Sequence, residues 1–212
     1  MTVRSLYLCE GSSDMGLRFH IEAIAAEMGR EIHVTSPDLD RLPTKPGHSV
    51  KDKLRAAQRL SDGGRTYDLV VIHRDSDREP PDRRRTEIAE AVAAVSPGLA
   101  HVPVIPVRML EAWLLLDPSA IREVAGNPNG KMALDLPKAA KAESVKDPKW
   151  LLKQAIATAS EERGRGLQKL QTRFSANRAR LLQMLDREGP VKQLASWQSF
   201  TNDLHEALSR SH

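Results

Sequence analysis

The stretch from Tyr67 to His73 limits the fold of this chain more than any other. Its continuous apolar core, Leu69-Val70-Val71-Ile72, asks for burial on both faces, which is the situation of a strand inside a parallel sheet. The run stops at polar residues, with Asp75 and Asp77 two and four positions after the strand and Glu79 two further on.

The segments around it alternate in the same sense. Val3 to Cys9 is a short β-prone run that ends at Glu10-Gly11. Leu17, Ile21, Ile24, Ala25 and Met28 then recur at helical spacing, with Ser12 or Ser13 as a cap and Gly29 near the end. A short strand at Glu31 to Thr35, a loop from Pro37 to Gly47 and a basic helix from about Ser49 to Leu60 follow. After the central strand come a loop from Arg74 to Asp82, a helix near Arg84 to Val95 and a strand at Val102 to Val107. The apolar helix Leu110 to Leu116 is stopped by Asp117-Pro118. Such alternation predicts an α/β fold of Rossmann-like type, its mainly parallel central sheet flanked by helices.

Beyond Pro118 the strand signal disappears. Pro128, Pro137 and Pro148 punctuate a Lys- and Ala-rich region. Helical patterns resume at Trp150 to Ala157, Gly166 to Phe174, Ala179 to Leu185 and Ser199 to Leu208. The expectation is an α/β domain over residues 1–118 and a C-terminal helical region over 119–212, packed on or beside it. A length of 212 residues is compatible with that plan, since single cores close at about 100 to 200 residues.

Aromatic residues make up only 4% of the chain, so its cores must be mainly aliphatic. The single Cys9 excludes an intramolecular disulfide framework and a Cys-based zinc cluster, as expected of a reduced, cytoplasmic setting. Met1 to Leu8 runs straight into a strand pattern, so no signal peptide is expected. The longest apolar runs, such as Ala112 to Leu116, fall far short of the roughly 20 residues that span a bilayer, so no membrane partner is expected either. Lys and Arg number 32 against 28 Asp and Glu, a net +4 that mildly favours a polyanion.

The chemically informative feature is that two strands end in acids, because ligand sites in open α/β sheets gather at the carboxyl ends of strands. Glu10 closes the first. After the central strand, the spacing of Asp75 and Asp77 points both carboxylates to one side if the backbone stays extended, and a hard cation such as Mg2+ suits that oxygen-rich pair. The competing reading is that these acids cap helices or solvate loop ends. His73 reads as a packed strand residue, and the remaining histidines show no ligand spacing. The absence of a Gly-x-x-x-x-Gly-Lys-Ser/Thr loop leaves no ground for ATP hydrolysis by this chain.

Leu6-Tyr7-Leu8-Cys9-Glu10-Gly11 followed by a helix, together with Asp68-Leu69-Val70-Val71-Ile72-His73-Arg74-Asp75-Ser76-Asp77, resembles the two motifs of Toprim domains. Arg108-Met109-Leu110-Glu111-Ala112-Trp113-Leu114-Leu115-Leu116-Asp117 is similar to a segment of small bacterial Toprim-like proteins related to the nuclease half of the OLD proteins. The likeness covers about Thr2 to Asp117, with a looser echo at Ser199-Phe200. It implies a Toprim domain with Glu10, Asp75 and Asp77 as catalytic residues. Glu10 would be a metal ligand or general acid/base, Asp75 and Asp77 would hold Mg2+ or Mn2+, and Glu79 and Glu111 would be further ligands. It also implies cleavage of DNA or RNA, a phage-defence setting and a partner ATPase of the ABC or AAA type.

The chain departs from the nuclease pattern at Asp14, which stands where many relatives carry a further acid after Glu-Gly. It reads either as an additional acid or as a first-turn residue favoured by the helix dipole. Glu111 reads equally as a salt-bridge partner of Arg108, and Trp113 reads as core. Only Tyr7 and Tyr67 are present, both in predicted strands, which leaves no topoisomerase-type nucleophile. Arg83, Arg84, Arg85, Lys138, Lys141, Arg163 and Arg165 are the candidate nucleic-acid contacts. Interspersed acids such as Glu161 and Glu162 make a solvated helical surface the alternative. A non-catalytic Toprim-fold subunit of an ATPase complex is the rival reading of the whole. A haloacid-dehalogenase-type phosphatase would leave the Glu10-Gly11 strand unexplained.

Overall fold

The computed structural model describes residues 2–39, 42–60 and 67–210. Four strands form one sheet: β1 (Val3–Leu8), β2 (Ile32–Thr35), β3 (Leu69–His73) and β4 (Ala100–Val104). Their order is β2-β1-β3-β4 and every neighbouring pair is parallel, so the central strand predicted from its apolar run is central and is buried along its whole length. The last strand lies two to three residues upstream of its expected span. It also carries Pro103, which an edge strand tolerates because its missing N–H faces away from the ladder.

Strand alternation divides the sheet into two faces. Leu6, Leu8, Val70 and Ile72 pack against Val50, Leu54 and Ala57 of α2 (Val50–Leu60) and Ile88, Ala91 and Val92 of α3 (Pro81–Val95). By alternation Ser5, Tyr7, Val71 and His73 occupy the other face. The helix α1 (Leu17–Glu27), which contributes the buried Leu17, His20, Ile21, Ile24 and Ala25, joins β1 to β2. Helix α3 starts three residues before its periodic pattern, because Pro80 and Pro81 pre-set the backbone for a first turn.

The chain falls into two compact units, the described residues of Met1–Ile105 with Ser199–His212, and Pro106–Gln198. The division therefore lies at Pro106 rather than after Asp117-Pro118, and the last helical segment belongs with the sheet. The second unit holds α4 (Glu111–Leu114), α5 (Pro118–Val124), α6 (Ala139–Ala142), α7 (Pro148–Ser160), α8 (Gly164–Thr172) and α9 (Phe174–Gln183). Helix α10 (Ala195–Arg210) crosses the boundary. Asp117-Pro118, which reads as a stop, is also a start, and so is Asp147-Pro148. Asp117 accepts from the amides of Ser119 and Ala120 at 2.9 and 3.0 Å, and Asp147 from that of Trp150 at 2.8 Å, each capping a helix with Pro at its first position. Trp113 is core, fully buried, with its indole N–H donated to Ser196 Oγ at 2.8 Å and its ring edge-on to Trp197 at 5.1 Å. Among the described residues no helix is long and apolar enough to cross a membrane.

Candidate functional site

The strand order puts a topological switch between β1 and β3, since the chain leaves β1 toward β2 on one side and returns to β3 on the other. The crevice outside the carboxyl ends of those two strands is where open α/β sheets bind ligands. The register pairs Leu8 with Ile72, which brings Glu10 and Arg74 to the same level just beyond the sheet.

Two charged groups lie there, and the alternation of the strands separates them. Glu10 and Arg74 continue the parity of Leu8 and Ile72, toward α2 and α3. Arg74 donates to Glu10 Oε1 in a short contact and lies 3.5 Å from Glu87 on α3. Arg84 bonds Glu87 at 2.8 Å and Asp77 at 3.2 Å. Burial alone would push the Arg84 guanidinium down. Glu87 first, then Asp77 and Glu10, outweigh burial and hold it above its ordinary value. Ion pairs thus link Glu10 to Asp77 by way of Arg74, Glu87 and Arg84. From the α2 side, Lys53 Nζ donates to the carbonyls of Cys9 and Glu10 at 3.1 and 2.8 Å, fixing the backbone that carries Glu10.

The second group is buried on the opposite parity. His73 Nε2 lies 3.1 Å from Asp75 Oδ1, and Nδ1 lies 3.5 Å from Asp14 Oδ2. Asp14 closes the 3-10 turn Ser12–Asp14, where its carboxylate accepts the Gly11 amide at 3.2 Å and its carbonyl accepts Tyr7 Oη at 3.1 Å. Burial by itself would lower the His73 pKa, but the carboxylates of Asp14 and Asp75 raise it to about 10, so the imidazole is a cation between two anions.

Asp75 and Asp77 therefore do not share one side. The strand ends at His73, a turn begins at Asp77, and Asp77 adopts φ +53, a left-handed conformation uncommon for a residue with a side chain. Asp75 turns inward to His73 while Asp77 faces Arg84. Glu79 is held by Arg83 at 2.6 Å. Glu111 lies in the second unit with its carboxylate on Arg178 at 2.8 Å, both side chains buried, rather than on Arg108. Asp14 belongs neither to an exposed helix start nor to an open acid cluster. Arg85 is bonded to Ser199 and, at 2.7 Å, to Asp203. Sequence reasoning missed Lys53, Arg74 and Glu87, and took His73 for simple packing. The one available signal was a histidine closing an otherwise aliphatic strand two residues before an aspartate.

Two hollows flank the charged group. A crevice of about 200 Å³ at the end of β1 is lined by Cys9, Glu10, Ser12, Lys45, His48 and Lys53. An open cleft of about 850 Å³ runs along α2 and α3 past Lys51, Glu79, Arg83, Arg84, Glu87 and Glu90. Among the described residues no three or more His, Cys, Asp or Glu side chains are grouped so as to hold a metal ion. Mg2+ needs fewer, since it binds through one or two carboxylates and keeps several waters. Glu10 and Asp77, the two ends of that chain of ion pairs, are that number of hard oxygen donors.

Fold and site together define an α/β protein of Rossmann-like type with a charged crevice at the carboxyl edge of a four-stranded parallel sheet. No protein-family model matches the chain, and neither a curated protein nor a solved structure matches it.

Proposed function

We propose that this edge of the sheet is a Mg2+- or Mn2+-dependent site that hydrolyses phosphodiester bonds in DNA or RNA, in the manner of a Toprim-type nuclease. The observation that carries the reading is the chain of ion pairs that links Glu10, beyond the end of β1, to Asp77, beyond the end of β3, through Arg74, Glu87 and Arg84. Glu10 and Asp77 would hold the ion, which when bound supplies Lewis-acid neutralisation of the phosphodiester and a water of lowered pKa. Arg74 and Arg84 pair with Glu10 and Asp77 and, once released, would present planar donors to phosphate oxygens. His73 holds the Asp75 carboxylate through their 3.1 Å contact. The cytoplasmic setting, the role in phage defence and the partner ATPase belong to the same proposal and rest on the resemblance of the motifs.

A second reading, a non-catalytic subunit, draws on a specific observation. Glu10, Asp75, Asp77 and Glu79 are each already paired with Arg74, His73, Arg84 and Arg83. Incubation with plasmid, single-stranded DNA and tRNA, in Mg2+ or Mn2+ and with or without an ATPase encoded beside it, separates the two. The nuclease reading expects cleavage that Glu10→Gln, Asp75→Asn and Asp77→Asn each abolish. Cleavage unchanged in all three variants contradicts it.

A further inference from the structure

The charge of the chain is unevenly placed. Between Pro106 and Gln198 there are 16 Lys and Arg against 10 Asp and Glu, leaving 16 against 18 elsewhere, so the net positive charge resides in the helical unit. It concentrates further from Lys138 to Arg173, where nine cations face four acids. Three of those acids are engaged by backbone amides. Glu143 accepts from Ser196 at 3.0 Å, Asp147 from Trp150 at 2.8 Å, and Glu161 from Lys131 and Met132 at 2.9 and 3.2 Å. None of the nine cations is ion-paired with a described residue, which leaves their field directed at solvent.

An aromatic platform lies within this field. Trp150, in the first turn of α7, is 58% exposed, in contrast to the buried Trp113 and Trp197. Lys153, one turn along the same face, lies with its Nζ 5.0 Å from the centroid of Phe174 at the start of α9. The exposed Lys146 and Lys149 precede Trp150, while Arg165 and Lys169 are exposed on α8, which buries none of its residues. A large exposed indole beside a cation and a second ring, in a belt of unpaired cations, has the composition of a surface on which bases stack while cations track the backbone.

We infer that the face of the helical unit formed by Trp150, Lys153 and Phe174 binds single-stranded nucleic acid, with Trp150 as a stacking residue and the flanking lysines as phosphate contacts. The polyanion follows from the unpaired cations. The single strand follows from the ring, whose face a paired base in a duplex cannot meet. Binding at this face needs no chemistry from the sheet, so the inference stands apart from the proposed hydrolysis.

The test is fluorescence anisotropy of the full chain, in EDTA so that hydrolysis plays no part. The probes are labelled oligothymidylate and oligouridylate of about 20 nucleotides, the matching duplex, and vesicles of phosphatidylserine and phosphatidylcholine. Expected are binding of a single strand in preference to duplex and quenching of the tryptophan emission that is lost in Trp150→Phe. Trp150→Leu should weaken binding about 5- to 100-fold while Trp150→Phe retains most of it. Lys146→Gln with Lys149→Gln should lower the slope of log K against log salt by about 1.4. Because Trp150 is exposed, unchanged melting of these variants excludes misfolding. The inference is overturned by binding of neither oligonucleotide, by equal affinity for duplex, by equal affinity of Trp150→Leu, or by association with vesicles alone. Cleavage without binding at this face would leave the nuclease reading standing and remove this one.

Discussion

Removing one partner of the buried Glu111–Arg178 pair should destabilise the helical unit far more than removing both. The carboxylate and guanidinium meet at 2.8 Å, with side chains 3% and 8% exposed, so neither charge has water to fall back on. Arg178→Met leaves the buried Glu111 carboxylate without its guanidinium, and Glu111→Leu takes the carboxylate away from the buried Arg178. Each should cost about 3–5 kcal/mol, whereas the double variant should lie within about 1–2 kcal/mol of the wild type or above it. The cycle therefore carries a coupling of about 3 kcal/mol or more. With a urea m-value of about 2 kcal/mol/M, each single change shifts the midpoint by roughly 2 M. The buried Trp113–Trp197 pair in the same unit gives the fluorescence signal for those curves. Two single changes that each cost under about 1 kcal/mol and simply add would refute the buried pair. A Glu111→Leu penalty that appears only in Mg2+ would restore Glu111 as a metal ligand.

The His73 cation makes stability depend on alkaline pH. Its folded pKa of about 10 lies above the ordinary 6.5, so its contribution is fully present below about pH 6.5 and is lost as pH rises through about 10. The total is at most about 5 kcal/mol, and His73→Gln should flatten that fall in denaturant curves taken across this range. At Asp77 the left-handed backbone makes Asp77→Val costly by about 1–2 kcal/mol in urea unfolding, while Asp77→Gly should stay within about 1 kcal/mol of the wild type; equal effects would argue against the strained turn. Ser196→Ala leaves the buried Trp113 N–H without its acceptor and should lower stability by about 1–3 kcal/mol, with Trp113→Phe in the same background recovering part of the loss.

Much of the fold was legible because its strongest signal was local. Four aliphatic residues in a row, bounded by polar ends, fit a strand covered on both faces, and the structure places Leu69–His73 there. Starts and ends of helices were less so, because Pro80-Pro81, Asp117-Pro118 and Asp147-Pro148 act as both breaks and caps, a choice made by the next turn of chain. That the crevice lies at the ends of β1 and β3 was also readable. The bonding inside it was not. Whether Asp75 and Asp77 face together depends on how many residues past His73 remain extended, and the turn at Asp77 cancels the period-2 rule. Arg74, Glu87 and Lys53 come from three elements joined only by packing, and no spacing announces them.

Calorimetric titration of Mn2+ and Mg2+ into the wild type and into Glu10→Gln with Asp77→Asn tests the central claim most directly. A shared cation site at the ends of the two strands requires saturable binding to the wild type, a rise in melting temperature with the ion, and loss of both in the double variant. Equal binding by the two proteins, or none by either at millimolar ion, would contradict it.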